Sequence, residues 1–309
     1  MPTPNELEQY LVCNFPDKEW VGQKVIQILV SDGAIPAFSS SAIKLGELTR
    51  DQDISMDDIK NVIEMDPGLS SDCIKVASSA GFGARRISSI QQALMIIGME
   101  QIKRIAFAMG VMKSFNSFKG KVDWDKFWLH SVLVGRLTEK VAEAYRPTTG
   151  REYLAGLLHD CGKILLEQYF PEEFCRIIAA AQRRRCSHSV VEKGIIGVNH
   201  AQLGAAVCAS LQAHPEVIQA VLHHHGPFGG SEGKPDDKKF LAACVSVGDA
   251  LANYAQANIT GARVINPDTP IDQLSEWRFL RQYRMAYGLE LDLAVEVAAT
   301  EQDLKAVSA

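Results

Sequence analysis

No apolar run in this 309-residue sequence approaches the ~18 residues that a membrane-spanning helix needs, so no membrane partner is expected. The opening MPTPNELEQY is polar and acidic, unlike the cationic and then apolar pattern of a secretory signal, which predicts a cytoplasmic protein. The seven cysteines (13, 73, 161, 175, 186, 208 and 244) are odd in number and never spaced CxxC. That excludes a zinc ribbon and a disulfide framework and points to reduced thiols. A basic stripe is missing too. Lys and Arg number 32 against 37 Asp and Glu, and the first 120 residues carry 12 basic and 14 acidic groups. No nucleic-acid partner is therefore expected. Strand-type alternation is almost absent, while three-and-four spacing of apolar residues runs through most of the chain, so the fold class read here is all-α. With 47% hydrophobic and 22% charged residues, the chain has the composition of a globular protein with a full core, and its length suggests about two domains.

The first third reads as short helices over residues 39–49, 55–64, 68–79 and 88–97, then a longer one over 99–115. Ser55 caps a helix with acids in its first turn, Asp66-Pro67-Gly68 stops it, and Pro67 can start the next. Residues 116–122 are the best linker. Longer helices follow at 124–145, 152–170, 172–184, 201–212, 215–224 and 238–255. Loops are expected at 226–235 and 258–272. The division is 1–118, an N-terminal helical subdomain; 119–256, a helical subdomain carrying the site; and 257–309, a C-terminal helical extension. The run Arg183-Arg184-Arg185 reads as a solvated helix end.

All eight histidines lie between residues 130 and 225. His130 falls on the apolar stripe of its helix, between Phe127 and Val134 and ahead of Leu137, Val141 and Ala144. His159-Asp160 interrupts the apolar stretch from Leu157 to Leu166. Asp249 follows Leu241 and Val245 at steps of four, with Ala252 three residues on. Carboxylates and an imidazole at core-facing positions need partners, and a shared divalent cation supplies one to all of them. His188 and His214 are expected at the surface and at a helix start, and Cys161 reads as a small buried thiol.

The order His130, His159-Asp160, Asp249, with gaps of 29 and 89 residues, resembles the signature of the HD superfamily of metal-dependent phosphohydrolases. Ile35-Pro36, Met65-Asp66-Pro67-Gly68-Leu69-Ser70, Ser78-Ser79, Ile87-Ser88-Ser89 and Ala93 to Gly98 sharpen it. So do Glu192 before Gly197-Val198-Asn199-His200, Leu203-Gly204-Ala205 and His224-His225-Gly226-Pro227. Together these are similar to the HDOD domain, a variant of the HD fold in bacterial signalling proteins, over roughly residues 20–255. The resemblance implies an HD-domain-like helical bundle with an N-terminal helical subdomain. Ser78 stands where the family usually has asparagine.

Many HDOD domains have lost ligands and act as regulatory modules, whereas this chain keeps them. Gly162-Lys163 after the pair is similar to the related HD-GYP phosphodiesterases, and His200, His224 and His225 look like that group's additional ligands. The GYP segment is replaced by Gly226-Pro227-Phe228-Gly229-Gly230, and Lys126 stands where some of those enzymes place a glutamate for a further metal. The resemblance thus implies one or two divalent ions (Fe, Mn, Zn or Ni) held by His130, His159, Asp160 and Asp249, with His200, His224 and His225 added in a dinuclear site bridged by Asp160. In a catalyst Asp160 and Lys163 are the expected catalytic residues, Lys163 neutralising a phosphate. The function expected is that of a regulatory HDOD protein with a retained metal site, its partner a signalling protein. The alternative is a phosphohydrolase or phosphodiesterase acting on a nucleotide or another phosphorylated small molecule.

Overall fold

The computed structural model describes residues 38–48, 54–78, 86–115, 123–184, 186–228, 236–255 and 273–308. The expected linker at 116–122, most of the loop at 226–235 and the loop at 258–272 lie outside them. Among the described residues there are fifteen helices and no strand. In chain order they are α1 Ser40–Leu48, α2 Met56–Glu64, α3 Pro67–Ala77, α4 Ile90–Ile97, α5 Met99–Phe115, α6 Trp124–Glu143, α7 Arg151–Leu158, α8 Gly162–Tyr169, α9 Pro171–Arg184, α10 His188–Ile196, α11 His200–Ser210, α12 Pro215–His223, α13 Asp237–Tyr254, α14 Ser275–Leu280 and α15 Leu293–Ser308. None of them is long and apolar enough to cross a membrane.

Local chemistry sets most boundaries. Ser55 and Asp58 form a reciprocal capping box ahead of α2, Asp66 caps α3 through the amide of Leu69, and Ser89 caps α4 through that of Gln92. Asn199 and Gln202 form a second box at the start of α11. Each satisfies amides that the helix cannot.

The centre of the molecule is the packing of α7 and α13 against α6. Small residues let these backbones meet. A β-carbon on Gly156 would lie 2.7 Å from the α-carbon of Gly135 and the carbonyl of Val134, and one on Gly248 would lie 2.7 Å from the hydroxyl of Thr138. α13 is apolar nearly all round and lies inside the core. Fully buried side chains such as Leu133, Leu137 and Phe240 each contribute roughly 1.5–3 kcal/mol relative to an exposed state. The core continues without a break into α2 to α5. α15 closes the other side, packing on α6 and α3, where Glu296 meets Arg136 (3.0 Å) and Lys140 (3.2 Å).

Two expectations about helices need correction. Residues 152–170 are not one helix: it breaks into α7 and α8, with His159, Asp160 and Cys161 in a turn held by bonds such as Lys163 N–H to the Asp160 carbonyl. α10 was not anticipated, although Ser187 precedes it and Gly197, at φ 89°, ends it in the left-handed region that favours glycine. His188 therefore lies at a helix start but is buried, 1% exposed, where a surface position was expected. The helix stacks it with Glu192 and Ile196 on one inward face.

Glu139 of α6 is buried against α5 and ion-paired with Arg104 at 2.7 Å. Burial pushes its carboxyl from 4.5 up to about 7, against the pull of Arg104 and with the push of Glu152, Glu143 and Glu100. The folded state thus holds this proton at higher pH than the unfolded chain. Ionisation between those two values removes stability as pH rises, by about 3 kcal/mol at most. Urea melts at pH 5 and pH 7 should show a smaller fall in unfolding free energy for Glu139→Gln than for the wild type. Equal falls would exclude Glu139 as the source.

Candidate metal centre

Five parts of the chain deliver the expected ligands to one place. α6 brings His130, the α7–α8 turn brings His159 and Asp160, the first residue of α11 is His200, the end of α12 leads into His224 and His225, and α13 brings Asp249. His130, His159, Asp160 and Asp249 are all within 6% of complete burial, as are His200 and His224, while His225 is exposed on its outer side.

The side chains fall into two groups. Ligand atoms of His130, His159 and Asp160 lie within 4.8 Å of one another, and so do those of His200, His224 and His225. Oδ1 of Asp249 joins the first, 3.3 Å from Nε2 of His130 and 3.8 Å from Nε2 of His159. Asp160 touches both groups: Oδ2 is 3.4 Å from His159 and 3.8 Å from His130, and Oδ1 is 3.2 Å from Nε2 of His200. Between the groups the His159 and His224 rings meet edge to face at 5.2 Å.

The hydrogen bonds behind the rings decide what the front nitrogens can do. Nδ1 of His159 lies 2.7 Å from the Gly156 carbonyl, and Nδ1 of His224 lies 2.7 Å from that of Val221. A carbonyl only accepts, so each Nδ1 carries the proton and each Nε2 keeps its lone pair. Both Nε2 atoms are buried and have no hydrogen-bond partner. Nδ1 of His200 is held by Glu192, 2.6 Å away, and Glu192 also accepts from the His200 amide at 2.8 Å. His159 and His224, each tied at one nitrogen to a carbonyl and bare at the other, have the arrangement of a metal ligand, while Nε2 of His200 lies 2.7 Å from Nε2 of His225.

The electrostatics agree. Burial pulls the His159 and His224 imidazoles down, that of His224 to about 3. Burial alone would raise the Asp160 carboxyl, but His159, Lys163, His200 and His130 hold it well below the usual range. Asp249 is likewise lowered against burial, chiefly by the hydrogen bond from His130. His130 itself loses to burial and gains more from Asp249 and Asp160, so its proton is held more tightly than usual. Buried carboxylates and the bare Nε2 atoms of His159 and His224 facing one space make a donor set that fits a divalent cation.

Lys163 is buried, with its ammonium ion-paired to Asp160 rather than free. Cys161 is a buried thiol near the Gly204 carbonyl, and burial raises it well above the usual range, which suits packing rather than nucleophilic attack. His223 is exposed and outside the cluster, and His214 caps α12 through the Glu216 amide. Arg183 and Arg184 are exposed, as expected, and Arg185 lies outside the described residues. Two residues outside the expected ligand set line the centre. Glu192 had a motif signal, but without α10 nothing aimed it at His200. His188 is buried, with both ring nitrogens lacking a hydrogen-bond partner.

The family model of the HDOD domain matches residues 35–227, more than half of the chain. The chain belongs to the HDOD family. It is similar to an uncharacterised protein of Treponema pallidum, 23% identical over 244 residues, covering 78% of this chain and 44% of that protein. It spans less than half the length of the curated relatives it matches. Among solved structures, an HDOD domain protein of unknown function from Geobacter sulfurreducens has a TM-score of 0.74 at 20% identity, covering 94% of this chain and 97% of the other. A Shewanella amazonensis protein provisionally described as a phosphohydrolase has a TM-score of 0.63 at 19% identity, covering 93% and 97%. These likenesses establish the all-helical fold. In this HDOD chain the segment after the histidine pair anchors the core through Phe228, buried and 5.9 Å from the ring of Phe279.

Proposed function

We propose that this protein is a cytoplasmic regulatory HDOD protein whose helical core is completed by a divalent metal at the His130–Asp249 cluster, and that its partner is a signalling protein. The observation that carries the reading is the pair of buried, proton-free Nε2 atoms on His159 and His224, one in each ligand group, together with a carboxylate that reaches both groups. His130, His159, Asp160 and Asp249 would hold one ion, and Asp160, His200, His224 and His225 a second. Fe, Mn, Zn and Ni all suit imidazole and carboxylate donors. Binding free energy of this kind adds directly to fold stability.

The bridging position of Asp160 supports a second reading, a phosphohydrolase acting on a nucleotide or another phosphoester. A bound divalent ion would supply Lewis acidity toward a phosphoryl oxygen and an acidified water. The chain's own part would be to fix that site. Gly156 and Val221 hold two rings in one tautomer, Glu192 holds a third, and Lys163 balances the charge of Asp160.

Elemental analysis of the purified protein, with assays on cyclic dinucleotides and an aryl phosphate, separates the two. The regulatory reading expects stoichiometric metal and no turnover. Turnover that disappears in Asp160→Ala would replace it with the enzymatic one, and protein with no affinity for any of the four metals would overturn both.

A further inference from the structure

Asn253 lies one turn beyond Asp249 on α13. Its Nδ2 donates to the Asp249 carbonyl and to Asp249 Oδ1, both at 2.8 Å. That Oδ1 is the atom that faces His130 and His159. A carboxylate at the end of two free torsions adopts many orientations, and a donor fixed on the next turn selects one. On the same amide, Oδ1 is buried and has no partner. A buried acceptor left without a donor is costly, and a water in the site would be such a donor.

The choice of an amide has a chemical reason. The centre already holds Asp160, Asp249 and Glu192. A further carboxylate at 253 would add repulsion and could not donate to Asp249, whereas an amide donates without adding charge. Glu192 plays the matching part elsewhere, fixing His200 of the other ligand group.

We propose that Asn253 is the positioning residue of the ion position built on His130, His159, Asp160 and Asp249, and of that position alone. The inference rests on the metal reading above and goes beyond it by assigning each ion position its own outer residue.

Mn2+ titration of full-length protein, read by the electron paramagnetic resonance of free Mn2+, tests it. Asn253→Ala is expected to weaken one ion by about 10–100-fold and leave any second ion unchanged. His225→Ala is expected to spare the ion that Asn253→Ala weakens. Alanine is a good helix former near the end of α13, so the fold should persist, and the chelator-treated variant should melt within about 2 °C of the chelator-treated wild type. If the wild type binds Mn2+ and Asn253→Ala binds it equally tightly, this inference falls and the metal reading stands. Equal weakening of two ions, or a lower midpoint in chelator, would reduce Asn253 to a general structural role and overturn the assignment. A wild type that binds no Mn2+, Fe2+, Zn2+ or Ni2+ would overturn the metal reading and this inference with it.

Discussion

Asp160→Ala is expected to lose metal at both positions and to be less stable than the wild type even in chelator. The two effects have separate causes. Asp160 reaches His130 and His159 with one oxygen and His200 with the other, so its removal strips a ligand from each group. It is also the ion-pair partner of Lys163, which is 6% exposed. Removing one member of a buried pair leaves the other charge without compensation and costs about 3–5 kcal/mol. Metal adds a further gap, because ligand at 100 times its dissociation constant stabilises the folded state by about 2.7 kcal/mol. Thermal melts of both proteins with and without chelator resolve the two contributions. Chelator should lower the wild-type midpoint and leave Asp160→Ala nearly unmoved, with the variant below the wild type in both conditions. An equal chelator response in the two proteins would show that Asp160 is not a ligand. Equal midpoints in chelator would show that the Lys163 pair adds nothing.

Gly162→Ala is expected to be the most damaging small substitution near the centre. A β-carbon there would lie 2.0 Å from the His200 carbonyl oxygen and 2.7 Å from the Gly204 amide. Both are backbone atoms, so no side chain can swing aside, and α8 and α11 must separate by about an ångström or more. Overpacking of this kind costs about 3 kcal/mol or more. The displacement also carries His200 away from Asp160, now 3.2 Å away. Lower stability and weaker metal binding should therefore appear together. Gly194→Ala is the control. It is an exposed helical position whose added carbon meets nothing within 4 Å, so the same change should be neutral or stabilising by about 0.5–1 kcal/mol. A Gly162→Ala protein that melts with the wild type would refute the close approach of the two helices.

The division between what was readable and what was not follows the range of the forces involved. Helices announce themselves locally, through apolar spacing and through caps such as Ser55, Asp66 and Ser89, whose side chains act within three residues. The core position of His130 and Asp249 was legible in the same way, since both replace an apolar residue on a stripe. The break at His159-Asp160-Cys161 was not, because Leu157, Leu158, Ile164 and Leu165 keep the apolar pattern running through it. The burial of His188 was missed because α10 was missed, and the role of Glu192 with it.

By itself the sequence determined the all-helical class, the absence of membrane-spanning helices among the described residues, and a short list of polar side chains that the core would have to accommodate. Tertiary structure alone decided the grouping. That Asp160 faces His130 with one oxygen and His200 with the other, and that Asp249 faces His130, depend on where α6, α11 and α13 meet the α7–α8 turn. Those crossings are set by packing between residues far apart in the chain, at glycines such as Gly162 against His200 and Gly248 against Thr138, whose missing side chains show no periodicity. Helix spacing records which face is buried, whereas the partner that buries it is chosen by steric fit between segments distant in the chain.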